Sequence, residues 1–321
     1  MFRFFRVRVP LKFQIVSLIF LLATVGLFQS PSQPLTLTLP ELTLNEAREI
    51  ATNPTPPFDL DSVCAPVLEY EPSRTKAIVL FHGYTNCPAQ FSELTPLLTE
   101  AGYNVYAPLL PYHGSTDKLT DATDYLTPTL LQNHLEESLG VAATLGEEIT
   151  TLGISGGGVL AMAALASPTV AHAISLAPSH LPAFVPTWSA TLVTKLMQTL
   201  PNYNAFWNEE VALNNPGRPQ YAYRRFSSHS LAAYQQLTLN LIKNERQTLG
   251  RLTVILNPND KAISNEYAET YPAELTEMNL ESDVTYLPSE WNLEHDIIDP
   301  NQSFTRPDLV YPFLIDLIST D

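Results

Sequence analysis

The sequence predicts an α/β fold: a mostly parallel central sheet, helices on both faces, and a helical cap inserted before one of the last strands. Three observations carry this. From residue 77 onward, short apolar runs alternate with stretches of helical period, the pattern of consecutive βαβ units. Runs such as AIVLFH (77–82) are apolar at every position rather than at alternate ones, which is what a strand covered on both faces shows. The alternation then lapses over residues 179–248, where Trp188, Tyr203, Phe206, Trp207, Tyr221, Tyr223 and Tyr234 lie in helix-compatible sequence with no clear strand. That interval is far longer than an ordinary connection, and it reads as a cap.

The elements follow in order. After AIVLFH, the stretch AQFSELTPLLTEAG has helical spacing and Gly102 as its stop signal. YNVYAPLLP (103–111) is a strand ended by prolines, and TPTLLQNHLEESLGVAATLG (127–146) is a helix started by Pro128. EEITTLGIS (147–155) is a strand that feeds a glycine cluster, GGVLAMAALA is a helix of small residues, and HAISLAP (172–178) is again a strand. Beyond the cap come the strand RLTVILNP (251–258), the helix NEYAETYPAELTEM, the strand DVTYLP (283–288) and the closing helix RPDLVYPFLIDLIST.

Composition bounds the function. Among 321 residues, 45% are hydrophobic and 16% charged, a folded globular chain with ample core. A formal net charge of −16 excludes a nucleic-acid partner, which requires a basic face. The acidity is uneven. Arg3, Arg6, Arg8 and Lys12 precede FQIVSLIFLLATVGLF (13–28), which carries no charge, so residues 1–30 have the layout of a signal-anchor or a signal peptide. As an anchor this segment would tie the chain to a membrane, and in either case the remaining domain lies on the extracytoplasmic side. Residues 31–60 follow as a proline-rich linker with a short helix at LNEAREIA, and residues 61–321 form the domain. Cys64 and Cys87, an even pair in an exported chain, are expected to form a disulfide.

The chemistry concentrates in TTLGISGGGVLAMAALA (150–166). Gly153-Ile154-Ser155-Gly156-Gly157 matches G-x-S-x-G between a strand and a helix, where a sharp turn projects the serine above the sheet. A side chain two residues before or after the serine would collide in such a turn, so both positions are glycine. The phosphate-binding glycine motifs fail here, because neither G-x-G-x-x-G nor a G-K-[ST] ending is present. A serine hydroxyl is a weak nucleophile and needs a base oriented by a carboxylate. Asp260 in VILNPNDKAIS and His295 in LPSEWNLEHDIID each follow a strand, in the order such a site requires; Asp283 and Glu294 are alternative acids. His82, His113, His134, His172, His180 and His229 all precede the acid and are weaker candidates for the base. In FHGYTNCP (81–88), Tyr84 is the candidate donor of a backbone N–H to an oxyanion, with Thr85 as the alternative, and Gly156 supplies the second.

Taken together, strand-HGYT, strand-PYHG, GISGG, the acid after a strand and the late histidine resemble the α/β-hydrolase superfamily. More narrowly, HGYTNCPAQF with PYHGST is similar to bacterial esterases and monoacylglycerol-lipase-like hydrolases, a group that shades into serine aminopeptidases. The resemblance covers about residues 65–320. It implies a triad of Ser155, His295 and Asp260, an oxyanion hole from Tyr84 and Gly156, and no cofactor or metal; the aromatic cap and the membrane tether point to a small-molecule ester, hydrophobic or lipid-derived, as substrate. Gly156 departs from the pattern, since such enzymes often carry a bulkier residue straight after the serine. A peptidase would instead need an acid in the cap for the substrate ammonium, for which Glu209 and Glu210 are candidates. A non-catalytic binding protein on this fold usually lacks a member of the triad, and here all three are present.

Overall fold

The computed structural model describes residues 33–206, 219–241, 250–277 and 280–319. Its central sheet has seven strands: β1 (Val67–Glu69), β2 (Lys76–Phe81), β3 (Tyr103–Ala107), β4 (Glu148–Ile154), β5 (Val170–Leu176), β8 (Arg251–Leu256) and β9 (Glu281–Tyr286). They lie in the order β1-β3-β2-β4-β5-β8-β9. Only β1 is antiparallel to its neighbour; every other pairing is parallel.

The continuous apolar runs are explained by coverage of both faces. Along β2, Ala77, Val79 and Phe81 join one core cluster, while Ile78 and Leu80 join the other. This is the period-2 alternation of a strand with a helix layer on each side. The first layer holds α1 (Leu44–Thr52), α3 (Pro128–Leu145), α4 (Gly156–Ala163), α6 (Ser228–Leu241) and α7 (Asn265–Glu277). The second holds α2 (Leu94–Glu100) and α8 (Pro307–Ser319). β3 is shorter than its apolar run suggests and ends at Ala107, because Pro108 has no N–H to give the ladder.

Two segments differ from expectation. The proline-rich stretch, as far as it is described, lies against the domain. Leu35, Ala47 and Ala51 are buried, and Pro40 packs on Gly140 of α3, where a Cβ would sit 2.6 Å from the Pro40 ring. Its helix α1 carries a capping box, with the Glu46 N–H donating to Thr43 Oγ1 (3.3 Å) and the Thr43 N–H to Glu46 Oε2 (2.8 Å). The cap, besides α5 (Ala190–Thr199) and α6, contains a small antiparallel sheet of β6 (Asn204–Phe206) and β7 (Arg225–Ser227). Three residues are too few for alternation to show in sequence, so the pattern there reads as helix alone.

Among the described residues, no helix is long and apolar enough to cross a membrane. The anchor or signal expected at residues 1–30 lies outside them, as do Trp207, Glu209 and Glu210.

Candidate active site

β4 delivers Ser155 to the C-terminal edge of the sheet, at the centre of the strand order, where open α/β sheets bind ligands. Ser155 adopts φ 58° and ψ −118°, left-handed for a residue with a side chain, and the turn is pinned by its N–H donating to Leu176 O (2.9 Å). The flanking glycines are sterically obligatory. A Cβ on Gly153 would lie 2.0 Å from Gly157 O, and one on Gly157 would lie 1.9 Å from Phe81 O. The helix α4 therefore starts almost in contact with the backbone of β2.

The three residues expected as a triad meet. The Ser155 hydroxyl lies 2.9 Å from His295 Nε2, and His295 Nδ1 lies 2.6 Å from Asp260 Oδ2. Asp260 follows β8 and is fixed through its other oxygen, which accepts from the N–H groups of Ala262 (2.8 Å) and Ile263 (3.3 Å). Burial opposes its ionisation, but the charge and hydrogen bond of His295 and these two amides outweigh that and hold the carboxyl below the usual range. Burial likewise opposes a charged His295. The charge and hydrogen bond of Asp260, with the charge of Asp296, prevail and lift the imidazole above its ordinary value. The alternative acids, Asp283 on β9 and Glu294 beside the histidine, make no bond to it among the described residues.

The expected oxyanion donors adjoin. A Cβ built on Gly156 would lie 3.0 Å from the Tyr84 Cβ and 3.1 Å from the ring of Tyr234 on α6. This explains the small residue after the serine, since the Tyr234 ring takes the space that a larger side chain would need. Among the described residues, neither the Tyr84 nor the Gly156 backbone N–H has a protein acceptor. The Gly83–Tyr84 peptide is held by its carbonyl, which accepts from the Asn86 N–H (2.9 Å) and from His82 Nδ1 (2.9 Å). His82 keeps that proton on Nδ1 because its Nε2 accepts from the Leu110 N–H (3.1 Å), and burial keeps the ring neutral. His113, also buried and kept neutral by burial, lies between two carbonyls, Tyr84 O at Nε2 and Pro111 O at Nδ1 (2.8 Å), and donates its single proton to one of them. Thus two histidines set aside as bases build the loop that bears Tyr84. Thr85 accepts through its carbonyl from the Tyr223 N–H (2.7 Å), which ties that loop to the cap.

The remaining histidines bond elsewhere: His134 is buried in α3, His172 bonds Thr253 Oγ1, His180 bonds Thr238 Oγ1, and His229 bonds Leu200 O. The expected disulfide between Cys64 and Cys87 is present, and it staples the loop of Tyr84 to the chain before β1. Among the described residues, no group of three or more His, Cys, Asp or Glu side chains is placed to hold a metal ion. One residue that sequence reasoning passed over is Asn257, at the end of β8. Its side-chain amide donates to Leu293 O (2.9 Å) and Glu294 O (2.8 Å), binding the acid loop to the histidine loop. Its only sequence signal is an asparagine just past a strand, which is too common to single out.

With this fold and this constellation in place, the class of the chain is settled. Residues 76–302 match the family described as alpha/beta hydrolase fold, and the chain belongs to it. Solved structures show the same architecture at low identity. A structure from the metagenome-derived lipolytic enzymes LipS and LipT superposes with a TM-score of 0.59 at 14% identity, covering 82% of this chain and all (100%) of the other. The monoacylglycerol lipase of Paleococcus ferrophilus gives 0.54 at 16% identity, over 79% of this chain and 98% of its own. A soluble variant of monoglyceride lipase from Saccharomyces cerevisiae, in complex with a substrate analogue, gives 0.55 at 12% identity, over 84% and 96%. No curated protein matches the chain by sequence.

Proposed function

We propose that this protein is a serine hydrolase that cleaves carboxylic esters through an acyl-enzyme on Ser155. The observation that carries the reading is the unbroken relay from Ser155 Oγ through His295 to Asp260, at 2.9 and 2.6 Å. In this reading His295 Nε2 takes the serine proton as Oγ attacks the ester carbonyl. The N–H groups of Tyr84 and Gly156 then receive the oxyanion, a contribution of about 2.7–4 kcal/mol for each donor in comparable sites. The alcohol leaves with the proton from His295, and water, deprotonated by the same ring, hydrolyses the acyl-enzyme. Asp260 holds Nδ1 protonated, so that Nε2 is free to accept.

A hydrophobic or lipid-derived ester fits the lipolytic enzymes and monoacylglycerol lipases of similar fold, and it fits an aromatic cap in which Phe184 and Trp188 stand exposed. An N-terminal segment that tethers the domain outside the cytoplasmic membrane would bring it to such substrates. The direct test is hydrolysis of p-nitrophenyl esters from acetyl to palmitoyl by the full chain, set against aminoacyl p-nitroanilides. Ester turnover with a chain-length optimum is the expected result, while turnover of the anilides alone would overturn the ester reading in favour of an aminopeptidase.

The pH dependence follows from the histidine. The base works only when neutral, and its cation is favoured here by Asp260 and Asp296. The expected kcat/KM is flat at alkaline pH and falls as pH drops through a midpoint above the ordinary 6.5 of histidine. A profile that stays flat well below that value would contradict His295 as base.

A further inference from the structure

A carboxylate is seldom fully buried without a cation to pair with. Asp299 is fully buried and Asp296 half-buried, four and one residues beyond His295, and among the described residues neither forms an ion pair with lysine or arginine. Their partners are neutral donors instead. Asp299 Oδ1 accepts from the Tyr221 hydroxyl (2.8 Å) and the Asn301 N–H (2.9 Å), and Oδ2 accepts from Asn86 Nδ2 (3.0 Å). Asp296 Oδ2 accepts from Gln90 Nε2 (2.9 Å), Asn86 Nδ2 (3.2 Å) and Gln302 Nε2 (3.4 Å).

The other ends of Gln90 and Asn86 lie in the oxyanion loop. Gln90 Oε1 accepts the Gly83 N–H (2.8 Å), and Asn86 Oδ1 accepts the Cys87 N–H (2.9 Å), while the Asn86 N–H donates to Gly83 O (2.9 Å). Both peptides flanking Gly83 are thus fixed. One of them carries the Tyr84 N–H, which would swing away if that peptide rotated. We propose that Asp296 and Asp299 are positioning residues for the oxyanion hole: by gripping Gln90 and Asn86 they make the loop of the base and the loop of Tyr84 one hydrogen-bonded unit. The proposal rests on the serine hydrolase reading above. It explains why two acids sit side by side, one buried and one half-buried, because a charged acceptor holds an amide donor more strongly than a neutral one. The shared donor Asn86 Nδ2 bridges the pair. Burial, and then the charge of Asp296, push Asp299 up to about 6, and the donors Asn86, Asn301 and Tyr221 work against that rise.

The test uses the full chain, p-nitrophenyl butyrate as substrate and an alkyl trifluoromethyl ketone as a probe that becomes a tetrahedral oxyanion on Ser155. Gln90→Ala and Asp296→Ala are each expected to lower kcat about 10- to 100-fold with little change in KM, and to weaken the ketone by the same factor. Acting in series, they should cost no more together than singly. Gln90→Glu, which keeps an acceptor for the Gly83 N–H but sets a second carboxylate against Asp296, should lower kcat as Gln90→Ala does. It also serves if Asp296→Ala does not fold. Losses that multiply, or a fall in kcat with ketone affinity intact, would overturn the proposal. Amide exchange supplies a readout free of catalysis: Asp296→Ala should speed exchange at the Asn86 N–H, and unchanged protection there sinks the positioning claim. Absence of ester turnover in the wild type would fault the hydrolase reading alone, and exchange at Asn86 would still decide this one.

Discussion

Ser155→Ala and His295→Ala are each expected to lower kcat for ester hydrolysis roughly 10⁴- to 10⁶-fold, and the double variant by no more than either alone. The reason is that neither residue does anything useful without the other. At neutral pH a lone serine hydroxyl attacks esters no better than water, and a lone imidazole has no nucleophile to activate. The 2.9 Å contact between Oγ and Nε2 makes them one device. Asp260→Asn is a subtler case, and here the surroundings decide its outcome. Asp260 Oδ1 accepts from the N–H groups of Ala262 and Ile263, so an asparagine must turn its carbonyl towards them. Its amide then faces His295 Nδ1 as a donor, forcing the ring proton onto Nε2, which can no longer accept from the serine. A loss of about 10⁴-fold is expected from the wrong tautomer, with the fold intact. Steady-state kinetics, with fluorophosphonate labelling of the serine as an independent readout, settles both points. Single losses that multiply, or an Asp260→Asn variant within tenfold of wild type, would mean that the three residues do not act as a relay.

What the sequence disclosed of this site, and what it hid, follows a physical division. Ser155, Asp260 and His295 were legible because each sits just past a strand and because the elbow demands glycine at 153 and 157. The disulfide was legible from an even cysteine count in a chain with an export-like start. The supporting shell was not. Asn86 meets Asp299 across 213 residues, and Gln90 meets Asp296 across 206, contacts that no local period or motif encodes. His82 and His113 looked like rival bases because their type suggests proton transfer; only burial and their carbonyl partners show them to be struts. The small sheet β6–β7 was hidden by brevity. Pro272 and Pro312 stand inside α7 and α8, where tertiary packing overrides a local signal for breakage. Residues 33–57 looked like a tether because prolines suggest an extended spacer, but Leu35, Ala47 and Ala51 are apolar anchors that sequence alone does not distinguish from linker residues.

Gly157→Ala is expected to destabilise the protein by more than about 4 kcal/mol or to prevent folding. The added Cβ would lie 1.9 Å from Phe81 O, 2.5 Å from Phe81 C and 2.6 Å from His82 O. All three are backbone atoms of β2 and its exit, and Phe81 is held in register against Gly153 of β4, so no rotamer change relieves the clash. The start of α4 would have to retreat by about 1 Å at least, and it carries Ser155 and the Gly156 N–H with it. Gly83→Ala is the informative contrast. It lies beside the same site, but its nearest neighbours are the Gln90 side chain at 3.5 and 3.6 Å, ordinary contact, so it should cost far less stability. Denaturant midpoints for the two variants measure the difference. If Gly157→Ala unfolds within about 1 kcal/mol of wild type, the helix start is not seated against β2 as described, and the strained turn at Ser155 has some other cause. If the expected gap appears, the glycine spacing around the serine is a packing requirement first. The backbone strain at Ser155, about 1–3 kcal/mol for such a conformation, is then held in place by the helix start seated on β2.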